Sequence, residues 1–230
     1  MRWVPGSFVR YGSPRGGRKH RLAGIILSCL ALSALPAVAD PVTIVALGDS
    51  LTQGYGLPPG DGLVPQLQGW LDRHDAGAVV LNAGVSGDTT AGGLARVGWT
   101  LTPEVDAMIV SLGGNDFLRG LDPGVTRANL AAILDRADAS GLPLLLIGLH
   151  AAPNYGADYQ RDFDAIFPEL AAEHGALLYP SFFTALGGDA ATVDPALMQP
   201  DGIHPNREGV ARVVESLGPL VLELVGRASR

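Results

Sequence analysis

The chain has 230 residues and a formal net charge of −7, from 16 Lys+Arg against 23 Asp+Glu, and 47% of it is hydrophobic. This length suits one domain or at most two small ones, and the hydrophobic content is too high for a disordered chain. A single cysteine excludes a disulfide framework or a multi-cysteine metal site, and the acidic balance argues against a nucleic-acid partner, because that binding depends on basic surface.

The first 39 residues differ from the rest of the chain in charge. They carry six cations and no acidic residue, with an apolar run from Leu22 to Leu35 and then Ala37-Val38-Ala39. A basic segment, a short apolar segment and an A-x-A site are typical of a secretory signal peptide, and the run is shorter than the ~20 residues of a membrane span. We therefore predict a signal peptide over residues 1–39, cleaved after Ala39, and a periplasmic or secreted protein. An uncleaved anchor, a lipoprotein site at Cys29 and a later translation start are the alternatives.

Cleavage at this position would change the chemistry open to the protein. It leaves 191 residues with 10 Lys+Arg against 23 Asp+Glu, a net charge of −13. Lys19 and Cys29, the single lysine and the single cysteine, would both be removed. A thiol nucleophile, a Schiff-base lysine and a P-loop lysine are therefore excluded from the mature protein. Only four scattered histidines and no cysteine remain, which argues against a zinc site. We predict no metal and no cofactor.

Apolar runs and amphipathic stretches alternate along the mature chain. The runs predict strands at Val42–Leu47, Ala78–Ala83, Ala107–Leu112, Pro143–Leu149 and Ala176–Tyr179. The stretches predict helices at Leu63–Arg73, Thr90–Leu101, Val125–Ala139, Tyr159–His174 and Arg207–Val225. Continuous apolar runs favour strands buried on both faces, and the alternation predicts one α/β domain with a parallel sheet over residues 40–230. Gly187–Pro200 is predicted to be a loop, and Trp70 and Trp99 are predicted to pack in the core or between helices.

Four polar, glycine-containing segments follow predicted strands or precede the last helix. They are Gly48–Thr52, Asn82–Thr89, Gly113–Asp116 and Asp201–Asn206. In an open parallel sheet, ligands bind outside the carboxyl ends of the strands, so these segments are expected to meet at one edge. Together they supply a hydroxyl, backbone N–H groups, an amide, and a carboxylate three residues from an imidazole. These groups are the parts of acyl-transfer chemistry.

Each of these groups has a distinct expected role. Ser50 is a weak nucleophile alone and requires an adjacent base, which His204 can provide. Asp201 would orient the imidazole and stabilise its protonated form. The oxyanion hole would consist of the backbone N–H groups of Ser50 and Gly87 and the side-chain amide of Asn115. Each motif alone is a common turn or helix cap, so the prediction depends on their combination.

The four segments resemble the sequence blocks of the SGNH hydrolase superfamily, also called GDSL. The match includes Ser50, Gly87, Asn115 and the pair Asp201 and His204. Further strings, among them Leu118-Arg119-Gly120 and Asn154-Tyr155-Gly156, are similar to the bacterial periplasmic thioesterase I/lysophospholipase/arylesterase family. The resemblance extends from Asp40 to about Leu224. It implies a flavodoxin-like three-layer α/β/α sandwich with a five-stranded parallel sheet, and metal-free hydrolysis of esters and thioesters by the five residues in these roles.

Two departures from the family's pattern lie in segments expected to face the substrate. Phe117 follows Asn115-Asp116 where relatives often carry glycine, and its ring would narrow the acyl groove or stiffen the loop. His150 and Ala151-Ala152-Pro153 precede Asn154 where relatives tend to read Leu-Pro-Ala. We therefore predict substrate contacts for Phe117, His150 and Asn154.

Other polar residues are predicted to have structural roles. Asp49 is expected to accept hydrogen bonds from backbone N–H groups in the turn that follows it, and Asp88 and Asp116 are expected to brace their loops. His74 and His174 lie near predicted helix C-termini, where a cation suits the helix dipole, and no function is assigned to them.

The predicted function is a serine esterase acting on carboxylic esters and thioesters, with fatty acyl, lysophospholipid or aryl ester substrates. A carbohydrate or peptidoglycan O-acetylesterase is the alternative within the same superfamily. A non-catalytic flavodoxin-like binding module and a phosphodiesterase are alternatives outside it. We expect a monomer that acts on small acyl ester or thioester molecules, binds no nucleic acid and is not inserted in the membrane after cleavage.

Overall fold

Five strands alternate with helices along the chain in this computed structural model, which describes residues 40–188 and 192–229. The strands are β1 (Val42–Gly48), β2 (Ala78–Gly84), β3 (Ala107–Ser111), β4 (Leu144–Ile147) and β5 (Leu177–Tyr179). The α-helices are α1 (Ser50–Gln53), α2 (Leu63–Arg73), α3 (Thr90–Thr100), α4 (Gly114–Leu118), α5 (Pro123–Ala139), α6 (Ala157–Glu173) and α7 (Arg207–Ala228). Short 3-10 helices lie at Pro153–Tyr155, Thr184–Leu186 and Pro195–Leu197. The predicted signal peptide and Cys29 lie outside the described residues.

All five strands are parallel, and they are hydrogen-bonded in the order β2-β1-β3-β4-β5. Helices α2 and α7 contact each other and pack on one face of the sheet, whereas α3 and α6 both contact α5 on the other face. The predicted three-layer α/β/α sandwich with a five-stranded parallel sheet is therefore confirmed. In this arrangement, the carboxyl ends of the strands lie at one edge, and the loops that carry the polar motifs follow them.

The edge strand β2 departs from the predicted burial. Strands β3 and β4 are buried along their whole length, as their apolar runs predict. In β2, Ala78 and Val80 are buried, but Val79 and Leu81 are exposed. Because β2 lies at the edge of the sheet and α3 packs on β1, one face of β2 remains open to solvent. The prediction of burial on both faces is wrong for this strand.

The two tryptophans of the described chain have different environments. Trp70 is buried on α2, and its Nε1 donates a hydrogen bond to Glu215 of α7 at 2.9 Å, so this packing prediction is confirmed. Trp99 is 89% exposed on α3, and the prediction that it packs is wrong. The buried residues near this end of α3 include Gly93 and Val97, and a position two residues after Val97 lies on the opposite side of a helix.

The helix ends and the connecting loops follow the remaining sequence predictions. His74 and His174 are the C-terminal caps of α2 and α6. The predicted loop Gly187–Pro200 contains the 3-10 helix Pro195–Leu197, while residues 189–191 lie outside the described part of the chain.

Across the described ranges, no helix combines the length and the apolar character needed to cross a bilayer. The same ranges hold no group of three or more His, Cys, Asp or Glu side chains placed to bind a metal ion.

Candidate active site

Ser50 lies at the carboxyl end of β1, as the first residue of the short helix α1. Asp49 caps this helix, because its Oδ1 accepts a hydrogen bond from Leu51 N at 3.0 Å, as predicted. Gly84, at the end of β2, lies against the same helix. A Cβ there would be 2.4 Å from Gln53 N, so glycine is required for this close approach. The packing holds Ser50 at the sheet edge with 8% of its surface exposed.

His204 and Asp201 lie in the loop that precedes α7. Asp201 Oδ1 accepts hydrogen bonds from the backbone amides of Ile203 at 2.9 Å and His204 at 3.0 Å, which folds the loop into a turn. Asp201 Oδ2 lies 2.7 Å from His204 Nδ1, and His204 Nε2 lies 2.9 Å from Ser50 Oγ. The structure thus joins Asp201, His204 and Ser50 in one hydrogen-bonded chain.

The charge of Asp201 determines which nitrogen of His204 carries the proton. Desolvation by itself would raise the pKa of Asp201, but hydrogen bonds from the His204 ring and from the amides of His204 and Ile203 outweigh it and lower the pKa to about 2. Asp201 is therefore ionised throughout the range in which imidazole titrates. A carboxylate beside Nδ1 requires that nitrogen to hold a proton, which leaves Nε2 able to accept one from Ser50.

Ser50, Gly87 and Asn115, the three residues predicted to form the oxyanion hole, line the same cavity. Gly87 lies in a turn after β2 with a φ of +82°, a conformation that other L residues rarely adopt. Across the described residues, neither Ser50 N nor Gly87 N donates a hydrogen bond to a protein acceptor. Asn115, in α4, donates one N–H of its Nδ2 to Asp49 Oδ2 at 3.2 Å. These amides can therefore donate to a negatively charged oxygen beside Ser50.

A cavity of about 320 Å³ opens beside these groups. Its wall includes Ser50, Gly87, Asn115 and His204, together with the apolar side chains of Leu118, Leu149, Phe183 and Ile203. Of the three residues predicted to contact substrate, Phe117 and His150 line this cavity. Asn154 is exposed on the 3-10 helix Pro153–Tyr155 and is not part of the wall. That helix approaches the site through the ring of Tyr155, which lies 5.8 Å from the ring of Phe117.

Phe117 is held in place by a group of aromatic rings. Its ring centroid lies 5.8 Å from that of Tyr155, 5.9 Å from that of Phe163 and 6.4 Å from that of Tyr159. The Tyr155 hydroxyl donates to the carbonyl of Leu118 at 3.3 Å. Contacts between rings at these separations are favourable. The side chain therefore forms a well-supported cavity wall, in agreement with the predicted stiffening of its loop.

Asp88 and Asp116 brace the loops around the cavity, as predicted. Asp88 Oδ2 lies 2.6 Å from Arg96 Nε. Arg96 also donates to one backbone carbonyl in β2 at 2.7 Å and to one in β1 at 2.8 Å, which ties the two strand ends together. The buried Asp116 accepts hydrogen bonds from Thr90 N at 2.8 Å and from Thr90 Oγ1 at 2.5 Å. This pair links α4 to the beginning of α3.

Sequence reasoning missed Tyr55 and Gln199. The ring centroid of Tyr55 lies 4.8 Å from that of His204, and Tyr55 lines the cavity. Gln199 Nε2 donates to the carbonyls of Tyr55 at 2.8 Å and Pro205 at 3.0 Å, and its backbone amide donates to His204 O at 2.7 Å. These bonds connect the loop after Ser50 to the loop that carries His204. In the sequence, both residues are marked only by their nearness to a motif residue. Tyr55 is five positions after Ser50, and Gln199 is five positions before His204.

Comparisons with known proteins show the family to which the chain belongs. The model of the GDSL-like Lipase/Acylhydrolase family matches residues 46–212. Esterase TesA of Pseudomonas aeruginosa is 38% identical over 202 residues, which cover 87% of this chain and 98% of that protein. Thioesterase 1/protease 1/lysophospholipase L1 of Escherichia coli K12 is 35% identical over 204 residues, which cover 88% and 93%. The crystal structure of AlinE4, an SGNH-hydrolase family esterase, has a TM-score of 0.67 and 42% identity, and the match covers 81% of this chain and 98% of AlinE4. The chain therefore belongs to the GDSL-like lipase/acylhydrolase family and is a hydrolase acting on ester bonds.

Proposed function

We propose that the chain hydrolyses carboxylic esters and thioesters through a Ser-His-Asp triad and an acyl-enzyme intermediate. The observation that carries this proposal is the hydrogen-bonded chain from Asp201 through His204 to Ser50 at the wall of an apolar cavity. The names of two relatives, an esterase and a thioesterase/lysophospholipase, support both ester and thioester substrates. Fatty acyl, lysophospholipid and aryl esters are the substrate classes that we propose.

In the first half of the reaction, His204 Nε2 accepts the proton of Ser50 Oγ while this oxygen attacks the substrate carbonyl carbon. The carbonyl oxygen becomes negatively charged and accepts hydrogen bonds from Ser50 N, Gly87 N and Asn115 Nδ2. Collapse of this intermediate breaks the bond to the alcohol or thiol, which leaves with the proton from His204. The acyl group remains on Ser50 as an ester.

In the second half, water attacks the acyl carbonyl while His204 accepts a proton from the water. The tetrahedral intermediate uses the same oxyanion donors, and its collapse returns a proton from His204 to Ser50 Oγ and releases the carboxylic acid. Asp201 remains ionised throughout, so it keeps the His204 ring oriented and stabilises the imidazolium that forms in both halves. No step of this scheme requires a metal or a cofactor.

The cavity wall favours an acyl chain longer than acetyl. Phe117, Leu118 and Ile203 present apolar surface in a volume of about 320 Å³. Each buried methylene group of a substrate contributes ~0.8 kcal/mol, whereas an acetyl group offers a single methyl. This observation favours the esterase and thioesterase function over the O-acetylesterase alternative.

The test is hydrolysis of a p-nitrophenyl ester series from acetyl to palmitoyl by the parental protein and by Ser50→Ala. We expect an optimum above acetyl and a loss of kcat of about 10⁴–10⁶-fold in Ser50→Ala, because the nucleophile is removed. Ser140→Ala, on the surface at the end of α5, is the control and keeps parental rates. Full activity in Ser50→Ala contradicts the serine mechanism, and strict preference for acetyl contradicts the long-acyl assignment.

We also propose that residues 1–39 direct export and that cleavage after Ala39 leaves a single hydrolase domain over residues 40–230. The support is the sequence pattern of six cations, an apolar run and an A-x-A site. On this proposal, the mature protein is a periplasmic or secreted monomer that is not inserted in the membrane. Its partners are small acyl ester or thioester molecules and not nucleic acids.

A further inference from the structure

Asp49 is a carboxylate directly before Ser50 that the proposed reaction scheme does not use. It is 2% exposed, and its two oxygens have different partners. Oδ1 accepts the hydrogen bond from Leu51 N that caps α1, at 3.0 Å. Oδ2 accepts a hydrogen bond from Asn115 Nδ2 of α4, at 3.2 Å and across 66 positions of sequence. Asp49 therefore joins the helix that carries Ser50 to the helix that carries an oxyanion donor.

The capping bond alone does not explain a carboxylate at this position. Asn and Ser cap helices about as well as Asp, and neither carries a charge that must be desolvated. Burial raises the pKa of Asp49 to about 6, although the hydrogen bonds from Leu51 N and Asn115 oppose this rise. At neutral pH the protein therefore holds a buried charge where a neutral cap would suffice. The second carboxylate oxygen, Oδ2, is therefore expected to have a role that an amide or a hydroxyl group could not fill.

The partner of Asp49 Oδ2 is the side-chain amide of Asn115, which could be oriented in either of two ways. The side-chain amide of Asn115 has an oxygen end and an NH₂ end of nearly the same shape, and only the NH₂ end can donate to an oxyanion. An ionised carboxylate has acceptors and no donors, so it pairs with the NH₂ end alone. One N–H of Asn115 then bonds Asp49, and the other is left for the developing negative charge.

We propose that Asp49 is a positioning residue for ester hydrolysis, which holds the NH₂ end of Asn115 toward the oxyanion through its Oδ2. The inference rests on the proposed function, because it takes Asn115 as an oxyanion donor. With an amide in place of Asp49, two NH₂ ends would face each other. Asn115 would then rotate and present its oxygen to the oxyanion, which removes one donor and adds a repulsion.

The test is a double-mutant cycle with Asp49→Asn, Asn115→Ala and both together, assayed with p-nitrophenyl butyrate. We expect Asp49→Asn to lower kcat by about 10²–10³-fold, the usual loss for one oxyanion donor, with little change in KM. Asn115→Ala is expected to cause a similar loss. Because Asp49 acts through Asn115, the double variant is expected to be no slower than Asn115→Ala alone.

Two further variants separate positioning from capping. Asp49→Ser keeps an oxygen for Leu51 N but has no second oxygen for Asn115, so we expect it to lose kcat as Asp49→Asn does. A role in capping alone predicts parental kcat in this variant. Asp106→Asn is the matched control, because Asp106 also accepts a backbone hydrogen bond, from Thr43 N at 2.8 Å, but lies before β3 at the opposite end of the sheet. It is expected to keep parental kcat.

The possible outcomes distinguish this inference from the proposed function. The inference is overturned if Asp49→Asn or Asp49→Ser keeps kcat within about threefold of the parental protein, or if the double variant loses the product of the two single losses. Unfolding of both Asp49 variants, seen by circular dichroism, also contradicts it, because Asn and Ser can cap α1. Activity that survives in Ser50→Ala overturns the proposed function itself.

Discussion

Two carboxylates near Ser50 occupy opposite electrostatic environments. Asp201 lies in an exposed turn, and its hydrogen bonds with His204 and Ile203 outweigh desolvation and lower the pKa to about 2. Asp49 is buried, and desolvation raises its pKa to about 6. A lowered pKa means that ionisation stabilises the fold, whereas a raised pKa means that ionisation destabilises it. At neutral pH, Asp201 therefore supports both the fold and the site, while Asp49 supports the site at a cost in stability.

This difference predicts how stability depends on pH. The pKa of Asp49 is about 6 in the fold against 3.8 for the free group, so the folded state binds more protons between these values, and ionisation removes about 2 kcal/mol as pH rises from 4 to 7. The Asp49→Asn variant has no carboxyl group at this position, so its free energy of unfolding does not fall in this way as the pH rises. We therefore expect its free energy of unfolding, measured with urea, to exceed the parental value by more at pH 7 than at pH 4.

Asp201→Asn is the matched control for this measurement. Asp201 has a pKa of about 2 in the fold against 3.8 for the free group, so its contribution is present above pH 4 and is lost as pH falls below it. The part of the stability difference between Asp201→Asn and the parental protein that comes from titration of Asp201 itself is therefore expected to change mainly below pH 4 and little from pH 4 to 7. An equally constant difference for Asp49→Asn would contradict the buried charge at position 49.

At the scale of elements, the site is built from the ends of strands and from two very short helices. Ser50 begins α1, which has four residues, and Asn115 lies in α4, which has five. Helices of this length are not stable by themselves, so tertiary contacts must hold them. Next to α1, Arg96 of α3 ties the ends of two strands together, because it bonds Asp88 and backbone carbonyls in both β1 and β2.

Arg96→Met is expected to destabilise the fold and to lower kcat. Methionine keeps most of the apolar stem, but Asp88 and two strand-end carbonyls lose their donor, and breaking such a partly buried pair costs up to about 3 kcal/mol. Urea unfolding measures the first effect, and p-nitrophenyl ester hydrolysis measures the second. Arg136→Met is the matched control, since exposed Arg136 donates to the carbonyl of Leu94, and we expect it to cost less than about 1 kcal/mol. Equal losses of unfolding free energy in the two variants would show that Arg96 does not hold the two strand ends together.

At the scale of the whole molecule, the charge is divided between two parts of the sequence. Residues 1–39 carry six cations and no acidic residue, whereas the remaining 191 residues carry a net charge of −13. The basic leader is the pattern on which the export proposal rests. The acidic remainder offers no basic surface of the kind that nucleic-acid binding depends on. The average value of −7 describes neither part.

Export with cleavage predicts the N-terminus of the mature protein. N-terminal sequencing and intact mass of protein from the periplasm or the medium are expected to give a chain that begins at Asp40. Ala39→Leu is expected to accumulate the longer precursor, because signal cleavage requires a small residue at that position. A mature chain that begins at lipid-modified Cys29, or that retains residues 1–39, would contradict this prediction.

Much of this architecture was predictable from local sequence. Burial and helical periodicity are local patterns, so they identified the five strands and the five long helices, and Leu63–Arg73 has the predicted bounds. The candidate catalytic residues could be chosen from the sequence because Ser50 belongs to a short motif at a strand end, and Asp201 and His204 belong to one before the last helix. Gly84 and Gly87 are marked in the sequence by glycine, since a side chain at Gly84 would clash with Gln53 and other L residues rarely adopt the φ of Gly87.

What the tertiary structure alone decided are the contacts between distant segments. Strand order places β2 at an edge and α3 over β1, and this leaves Leu81 and Trp99 exposed although both are apolar. Packing of the loops brings Tyr55 to His204, and it brings Asp49 to Asn115 across 66 positions. Sequence alone determined the kind of fold and the chemical groups available to this hydrolase, because each depends on the residues of a short segment. Only the tertiary structure decided which groups meet, because a contact across the sheet edge depends on how all the segments pack together.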